Sequence, residues 1–255
     1  MQVILTNIVL INYRIFMCTV ISLYSHRGIG KTITTVNLGA ALNKLGNKVL
    51  FVDLNPQSDL TNYFGIKDNS NNVFQAIEDN SSLQPIEIIK GLDIVPSSID
   101  LIECELQLIN LKNSYEVLSY LLAPLMKLYD YIIIDCCVGL GQLVVNAFKV
   151  SDYILSPIQN KEQLEYLVDT VERFKNLDFK FKTLYYINDP FNENGEIDVL
   201  CCNTDNVSYV GKISYDNAIN KAKEANTDVF RYDPDSIAAS EFMALCNKIL
   251  SISGN

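Results

Sequence analysis

A regular alternation of elements constrains the fold of this chain more than any other feature of its sequence. Short, wholly apolar runs alternate with longer segments in which apolar residues recur at helical spacing. Runs that are apolar on both faces are typical of a parallel sheet covered by helices on each side. We therefore predict an α/β fold with one doubly wound, mostly parallel sheet, built by residues 17–255 as a single domain. The predicted strands are 19–24, 48–53, 92–96, 131–135, 153–157 and 183–187, and the predicted helices are 31–45, 115–128, 140–149, 162–174 and 236–252.

The first 16 residues do not fit this alternation. They are largely apolar, but Arg14 interrupts them, and the stretch before it is shorter than the ~20 residues that a membrane span needs. No basic segment precedes the stretch and no small-residue cleavage site follows it, which argues against a signal peptide. We predict that residues 1–16 are a dispensable extension, with an additional edge strand as the alternative. The polar stretches 66–82, which should contain a short helix, and 188–206 are predicted surface excursions rather than domain boundaries.

The turn between the first predicted strand and the first predicted helix carries the sharpest local signal. Glycines there would let backbone N–H groups surround phosphate oxygens at the positive end of the helix, and a lysine would add a full charge. The strict P-loop spacing fails because Ser25 occupies the position of the first glycine, so an ordinary glycine turn with a surface lysine is the alternative. We predict a phosphate-binding loop of the P-loop NTPase type. It consists of Gly28, Ile29, Gly30, Lys31 and Thr32.

Two aspartates strengthen this interpretation. Asp53 ends the second predicted strand, and Asp135 ends the strand 131–135. Open α/β sheets bind ligands at the carboxyl ends of their strands, so both carboxylates should lie near the predicted loop. The threonine hydroxyl and an aspartate in this position are suited to hold Mg²⁺, the aspartate usually through water. The predicted metal-binding residues are Thr32, Asp53 and Asp135.

Composition excludes several other classes of protein. The formal net charge of −10 excludes a uniformly basic surface, so any contact with DNA needs a local patch. A single histidine, His26, makes a histidine-based triad implausible and a multi-histidine metal site impossible. The cysteine count of 7 is odd and includes two adjacent pairs, which indicates a reducing, cytoplasmic compartment rather than a disulfide framework.

Longer stretches of the chain resemble the ParA/Soj/MinD family of deviant Walker ATPases, which partition plasmids or chromosomes. Residues 34–42 resemble the family's helix after the loop, and 52–57 resemble its V-D-x-D-P-Q segment, with Leu60, Thr61 and Gly65 in the places that follow. Residues 129–135 resemble its Walker B region. The C-terminal pattern Y-D-P-x-S…A-x-E has its counterpart at 232–241, so the resemblance extends over residues 18–252.

The resemblance implies ATP and Mg²⁺ as cofactors, an ATP-dependent homodimer and a stimulating partner of the ParB type. It places Lys31, Arg27 and Asn55 at catalytic positions and Thr34 and Asn188 at nucleotide-binding positions. Asn188 stands where the family has an adenine-contacting residue. A turn asparagine is the equally simple alternative for that position.

Three departures from the family pattern concern hydrolysis. The family's signature lysine, which reaches the partner's nucleotide, corresponds to Arg27 if one glycine is deleted and to His26 without a gap. Asn55 replaces the aspartate that orients or activates the attacking water, and an amide cannot accept a proton as a carboxylate does, which predicts slow or absent hydrolysis. Cys136-Cys137-Val138-Gly139 replaces the family's T-P-P-S, and packing is the expected role of the two cysteines rather than redox chemistry.

Contact with DNA and with membranes is judged from the distribution of cations. The candidate residues for nonspecific DNA binding are Arg173, Lys175, Lys180, Lys182, Lys221 and Lys223. Such binding would depend on phosphate neutralisation, but a solvated helix surface explains the same residues. The C-terminal stretch 242–255 carries Lys248 as its only cation, so we predict no membrane-binding helix.

Three functions follow from these observations. The first is a ParA-like ATPase that switches between nucleotide states as a dimer. The second is a nucleotide-binding pseudo-ATPase that serves as an interaction module, an alternative motivated by Asn55 and the shortened loop. The third, a metabolic relative such as an iron–sulfur reductase component, is disfavoured because the cysteines near the predicted site are adjacent rather than separated.

Overall fold

A computed structural model describes residues 18–109, 114–175, 177, 179–189 and 206–253. The predicted extension 1–16 and residues 190–205 of the second excursion lie outside the described residues.

The described residues form an eight-stranded sheet. Its strands run in the spatial order β3-β4-β2-β5-β1-β6-β7-β8, and every neighbouring pair is parallel except the antiparallel pair of β3 and β4. The mostly parallel α/β sheet that the sequence predicts is therefore confirmed. The strands are β1 (Thr19–Leu23), β2 (Val49–Leu54), β3 (Ile86–Ile89), β4 (Leu92–Val95), β5 (Tyr131–Cys136), β6 (Tyr153–Ile158), β7 (Lys182–Asp189) and β8 (Val207–Ser214).

Helices cover both faces of the sheet. They are α1 (Lys31–Lys44), α2 (Asp59–Tyr63), α3 (Val73–Glu78), α4 (Leu101–Leu108), α5 (Val117–Leu122), α6 (Gln142–Val150), α7 (Lys161–Lys175), α8 (Asn217–Glu224), α9 (Val229–Tyr232) and α10 (Ile237–Ser253). The helix expected within 66–82 is α3. The helix predicted over 115–128 is wrong in extent, because α5 ends at Leu122 and two short 3₁₀ turns flank it. Pro124 accounts for the break, since proline has no backbone N–H with which to continue the helical hydrogen bonds.

Two elements at the edges of the sheet were not predicted from the sequence. The residues of β3 are only half-buried or exposed, so this strand lacks the continuous apolar character of the central ones. In β8, buried residues are mixed with partly exposed ones, and the strand pairs irregularly with β7 near Tyr185 and Tyr186. The periodicity of edge strands is weak because only part of their surface is covered.

Two apolar layers hold the sheet between the helices. Successive residues of β1 point to opposite layers: Val20 packs with α5, α6 and α7, whereas Ile21 packs with α1 and α10. Helix α1 approaches the sheet so closely that a Cβ on Gly39 would clash with the ring of Phe51. This close contact fixes α1, the helix that follows the predicted phosphate-binding loop, against the centre of the sheet.

Candidate functional site

The three predicted elements of the site meet at the carboxyl edge of adjacent strands. β5 lies between β1 and β2, and the register pairs Leu23 with Asp135 and Asp53 with Asp135. Residues 24–30 leave the end of β1, and α1 begins at Lys31. The topology thus brings the predicted loop and both predicted carboxylates to one point of the sheet, as the pattern of the strands requires.

Lys31 is buried at the start of α1. Its side chain is 7% exposed, and its Nζ donates a hydrogen bond to Ser25 Oγ over 3.2 Å. The Ser25 hydroxyl in turn donates to the carbonyl oxygen of Arg27. No acidic residue lies in the first turn of α1. A lysine next to a helix N-terminus without a competing carboxylate in that turn is an arrangement suited to an anion.

Thr32 connects α1 to β5. Its hydroxyl donates to Asp135 Oδ2 over 2.6 Å, while Asp135 Oδ1 is buried and has no hydrogen-bond partner. A buried carboxylate oxygen without a partner is costly unless a cation or water satisfies it. The described residues hold no group of three or more histidine, cysteine or acidic side chains that could enclose a metal ion. The Thr32 hydroxyl and the carboxylates of Asp53 and Asp135 are a donor set that fits Mg²⁺, which is usually bound by one or two carboxylates together with waters and phosphate oxygens.

Asp53 is oriented by hydrogen bonds from the following turn. Its Oδ2 accepts from the amide of Thr61 over 2.9 Å and from the Thr61 hydroxyl over 2.7 Å, and its Oδ1 accepts from the amide of Asn55 over 3.0 Å. Ser97, at the end of β4, extends this network, because its amide donates to Thr61 Oγ1 and its hydroxyl donates to the carbonyl of Asn55. Ser97 was not recognised in the sequence, although its position directly after the predicted strand 92–96 was an available signal.

Burial raises the pKa of both carboxyl groups. Removal from water raises the pKa of Asp53 to about 6 and that of Asp135 to about 7. The nearby Asp53 raises the pKa of Asp135 further, whereas the hydrogen bond from Thr32 and the charge of Lys31 lower it. A divalent cation would favour the ionised forms of both groups.

The cysteines after Asp135 are not activated thiols. Cys136 is buried, and burial strongly raises its pKa. Burial also raises the pKa of Cys137 to about 11, with a further contribution from Glu105. Since the thiolate is the reactive form, these environments agree with the packing role expected for both residues.

His26 and Arg27 both contact α7. The His26 ring lies 4.0 Å from the Tyr166 ring, measured between centroids, and Arg27 Nη2 lies 3.8 Å from Glu162 Oε1. Glu162 and Tyr166 are one turn apart on α7, so this helix contacts the first half of the loop at two points. The side chain of Arg27 is nevertheless 64% exposed, which leaves its guanidinium accessible to other groups.

Asn55 has both ends of its side-chain amide engaged within its own turn. Its Nδ2 donates to Asp59 Oδ2 over 2.7 Å, and its Oδ1 accepts from the amide of Gln57 over 3.1 Å. The side chain is half-buried. A carboxylate at position 55 would meet that of Asp59 at hydrogen-bonding distance, so the amide suits this turn better than an aspartate.

Asn188, in β7, and Thr34, in α1, both contact the loop between β1 and α1. Asn188 Nδ2 donates to the carbonyl of Ile29 over 2.9 Å and would contact a Cβ at Gly30. The hydroxyl of Thr34 is buried, donates to the carbonyl of Gly30 and contacts the Tyr186 hydroxyl. Both side chains therefore support the loop; the roles in nucleotide binding stay predictions.

Glu105 was not recognised in the sequence. Its carboxylate accepts hydrogen bonds from the amides of Gln142, over 2.5 Å, and Leu143, over 3.1 Å, at the N-terminus of α6. A Cβ on Gly141 would lie 2.5 Å from this carboxylate, so a larger residue there would force the Glu105 side chain to shift. Glu105 thereby fixes the end of the loop 136–141 that follows Asp135. Since 37 positions separate Glu105 from Gln142, no local pattern could have revealed the contact.

The cations predicted to bind DNA form two separate groups. Helix α7 runs away from the carboxyl edge, so Arg173 and Lys175 at its end and Lys182 at the start of β7 lie at the opposite edge, with Lys180 just before that strand. Helix α7 packs on one apolar layer, and α8, which carries Lys221 and Lys223, packs on the other. The structure does not unite all six cations in one patch.

A membrane-spanning role finds no support among the described helices. None of them combines the length and the apolar character that crossing a bilayer requires.

Comparison with known proteins identifies relatives of the chain. A family model described as AAA domain matches residues 18–183. The Soj protein of Bacillus subtilis, a sporulation initiation inhibitor, is 38% identical over 155 residues, which cover 56% of this chain and 60% of that protein. The chromosome partitioning protein ParA of Myxococcus xanthus is 34% identical over 168 residues, 61% of this chain and 59% of that protein. The matched segments thus span little more than half the length of these curated relatives.

Solved structures agree with the fold over a longer part of the chain. A plasmid partition protein from Borrelia burgdorferi bound to AMPPNP superposes with a TM-score of 0.81. It is 24% identical, and the alignment covers 92% of this chain and 99% of that one. At this level of identity the likeness establishes the shared fold alone.

Proposed function

This chain belongs to the ParA/Soj/MinD family of P-loop ATPases, and on that premise we propose that it is an ATP-binding protein that acts in plasmid or chromosome partitioning. In this proposal, ATP with Mg²⁺ joins two copies of the chain into a dimer, and hydrolysis separates them. Different affinities of ATP and ADP for the dimer are the physical content of such a switch.

One observation carries the proposal. Asp135, with one oxygen held by Thr32 and the other buried without a partner, lies directly beside the loop that begins α1. Lys31 and the amides of residues 28–32 would bind the phosphate groups, and Thr32, Asp53 and Asp135 would hold the metal ion. The metal ion would neutralise phosphate charge; the residues themselves bind and orient the nucleotide.

We expect hydrolysis to be slow. Asn55 can orient a water molecule but cannot accept its proton, and its amide is held by Asp59 and Gln57. A general base typically contributes about 10²–10⁴-fold to a rate, so its absence lowers hydrolysis without affecting binding. A pseudo-ATPase that binds ATP for assembly alone is the second candidate, favoured by the same two hydrogen bonds.

The partner contacts of the dimer belong to the proposal as well. Arg27 is the candidate to reach the nucleotide of a second copy, because its guanidinium is largely exposed and only loosely paired with Glu162. Arginine keeps the charge of the family's lysine but contacts phosphate through a planar fork. A ParB-like protein would set the time of hydrolysis, and the cations at the end of α7 and the start of β7 would contact DNA nonspecifically.

Three measurements on the purified chain test the proposal. Calorimetry with ATP and Mg²⁺ should detect binding, and sedimentation should detect a dimer with ATP but not with ADP or without nucleotide. A single-turnover assay of phosphate release then distinguishes a slow ATPase from a pseudo-ATPase. Absence of binding heat for both adenosine and guanosine triphosphates with magnesium would refute a nucleotide-binding function altogether.

A further inference from the structure

One face of α4 is apolar and exposed to solvent. Four aliphatic residues at intervals of three and four positions lie in α4 or directly beside its two ends, and these intervals are the spacing of a helical stripe. Their exposed fractions are between 51% and 67%, whereas Leu101, Cys104 and Leu108 on the opposite side are buried. The four exposed residues are Ile99, Ile102, Leu106 and Ile109.

The stripe continues toward the loop that follows Asp135. Val138 and Leu140 in that loop are 57% and 41% exposed. The carboxylate of Glu105, which projects from α4, binds the amides of Gln142 and Leu143 directly after the loop. We call the four residues of the stripe together with Val138 and Leu140 the α4 surface. Groups of exposed apolar residues on neighbouring segments commonly mark sites of interaction.

Acidic residues surround the α4 surface. Glu78 is positioned beside α4 by a hydrogen bond from Gln107 over 3.1 Å, while Asp100, Glu103 and Glu105 lie on or next to the helix itself. The described residues 71–89, 96–109 and 136–141 contain no lysine or arginine to balance these charges. Burial, followed by the charges of Glu78, Glu105 and Glu103, raises the pKa of Cys104 in the middle of α4 to about 12.

We propose that the α4 surface binds an amphipathic helix of a partner protein, with an apolar stripe flanked by lysine or arginine residues. The apolar stripe of such a helix would cover the exposed aliphatic residues, and its cations would pair with the surrounding carboxylates. A second copy of this chain is a poor occupant of the surface, because pairing two identical surfaces would bring like charges together. Residues 1–16 contain a single charged side chain, Arg14, against four carboxylates.

Binding at this surface would reach the candidate nucleotide site through Glu105. A cation of the bound helix would compete with the amides of Gln142 and Leu143 for the Glu105 carboxylate. Release of those amides would free the end of the loop 136–141, which begins directly after Asp135. This consequence rests on the proposed function, but the binding itself does not.

The test measures binding of the full-length chain to a labelled synthetic helix by fluorescence anisotropy, without nucleotide. The probe has about 18 residues, enough for a stable helix, with leucines on one face and lysine and arginine beside them. A second probe has glutamate in place of every cation. We expect the basic probe to bind and the acidic probe not to bind, with affinity for the basic probe falling as salt rises.

Paired variants separate the proposed surface from general attraction to an acidic protein. Ile99→Gln with Ile102→Gln should weaken binding of the basic probe at least about tenfold, since truncated anchor residues commonly carry that much. Leu45→Gln with Leu128→Gln, at positions that are 48% and 61% exposed elsewhere on the chain, should leave binding unchanged. Glu103→Gln should weaken binding less and reduce its salt dependence, and it keeps the proposal testable if the double variant fails to fold.

Three results would overturn the proposal. Equal weakening by both variant pairs would reveal unspecific attraction, and binding of neither probe by the full chain would exclude an accessible docking surface. If sedimentation instead detected self-association that only Ile99→Gln with Ile102→Gln abolishes, the occupant would be a second copy. Because nucleotide is absent throughout, none of these results depends on whether the chain binds ATP.

Discussion

The buried and the exposed parts of the candidate site differ in how closely they keep the family pattern. Lys31, Asp53 and Asp135 are at most 7% exposed and match the family residues. Arg27 and Asn55, at which the chain departs from the pattern, are exposed or half-buried. Two residues do not follow this division: Cys136 is a buried substitution at the end of β5, and Gly28 is exposed although it keeps a glycine of the predicted loop.

From this difference we propose that nucleotide binding and hydrolysis are separable in this chain. A buried charge is tolerated only with its partners in place, so substitution in the buried part would cost stability as well as binding. Side chains in the exposed part have water as an alternative partner and are replaced at little cost. A chain can therefore retain the phosphate-binding part while the residues for hydrolysis and for contact with a second copy change.

The largest expected effect tests the buried part directly. Lys31→Ala should weaken ATP binding about 100-fold, because a charge-assisted contact to phosphate contributes up to about 3 kcal/mol. Calorimetry with ATP and Mg²⁺ measures the change. Lys44→Ala, at the exposed end of the same helix, is the matched control and should bind like the unmodified chain. Equal affinities of the two variants would contradict the assignment of Lys31.

The second largest expected effect is a gain of hydrolytic activity on substitution in the exposed part. Asn55→Asp combined with Asp59→Asn should raise single-turnover phosphate release at least about tenfold, since it supplies a carboxylate without placing it against a second one. Asn55→Asp alone should give a smaller gain, because the two carboxylates would repel each other at hydrogen-bonding distance. An unchanged rate in the double variant would mean that another part of the site limits hydrolysis.

The pH dependence of the buried carboxyl groups gives a smaller effect. Because their pKa values are raised to about 6 and about 7, the nucleotide-free and metal-free chain holds extra protons when folded. Protonation of these two carboxyl groups therefore stabilises the folded chain. The effect is fully present below the pKa of about 4 that they have in the unfolded chain, and it is lost as the pH rises through their folded pKa values. Mg²⁺ should bind more weakly at pH 6 than at pH 8, because it competes with those protons.

Thermal melts and magnesium titrations across this pH range measure both effects. Asp135→Asn should flatten the loss of stability between pH 5 and about pH 8, since it removes the group with the higher pKa. If Mg²⁺ affinity were the same at pH 6 and about pH 8, the carboxyl groups would not be ligands that must ionise first.

The smallest effect belongs to the exposed contact between the loop and α7. Glu162→Gln should change the free energy of unfolding by less than about 0.5 kcal/mol, because the pair with Arg27 is solvent-exposed and 3.8 Å long. Denaturant unfolding measures this change. A loss of several kcal/mol would show that the exposed part is structurally constrained, which would remove the distinction drawn between the two parts.

Most of the central fold could be predicted from the sequence. The central strands β1, β2 and β5 are buried along their whole length, so their apolar runs carried a clear signal. Asp53 and Asp135 could be placed at one edge because parallel strands carry their carboxyl ends there. The extent of α5 was predicted wrongly, because the apolar pattern of 115–128 continues past the break, although Pro124 was a visible signal of it.

The sequence alone was enough to predict the glycine-containing loop between β1 and α1, the alternation of the central strands with helices, and the carboxylates that end two of those strands. These features depend on periodicity and turn chemistry over a few neighbouring residues, which are readable in one dimension. Three features are visible in the tertiary structure but not in the sequence. Asn188 supports the loop, Glu105 caps α6, and apolar and acidic residues share the exterior of α4. Each of these contacts joins distant segments, and its energy depends on packing that no local pattern encodes.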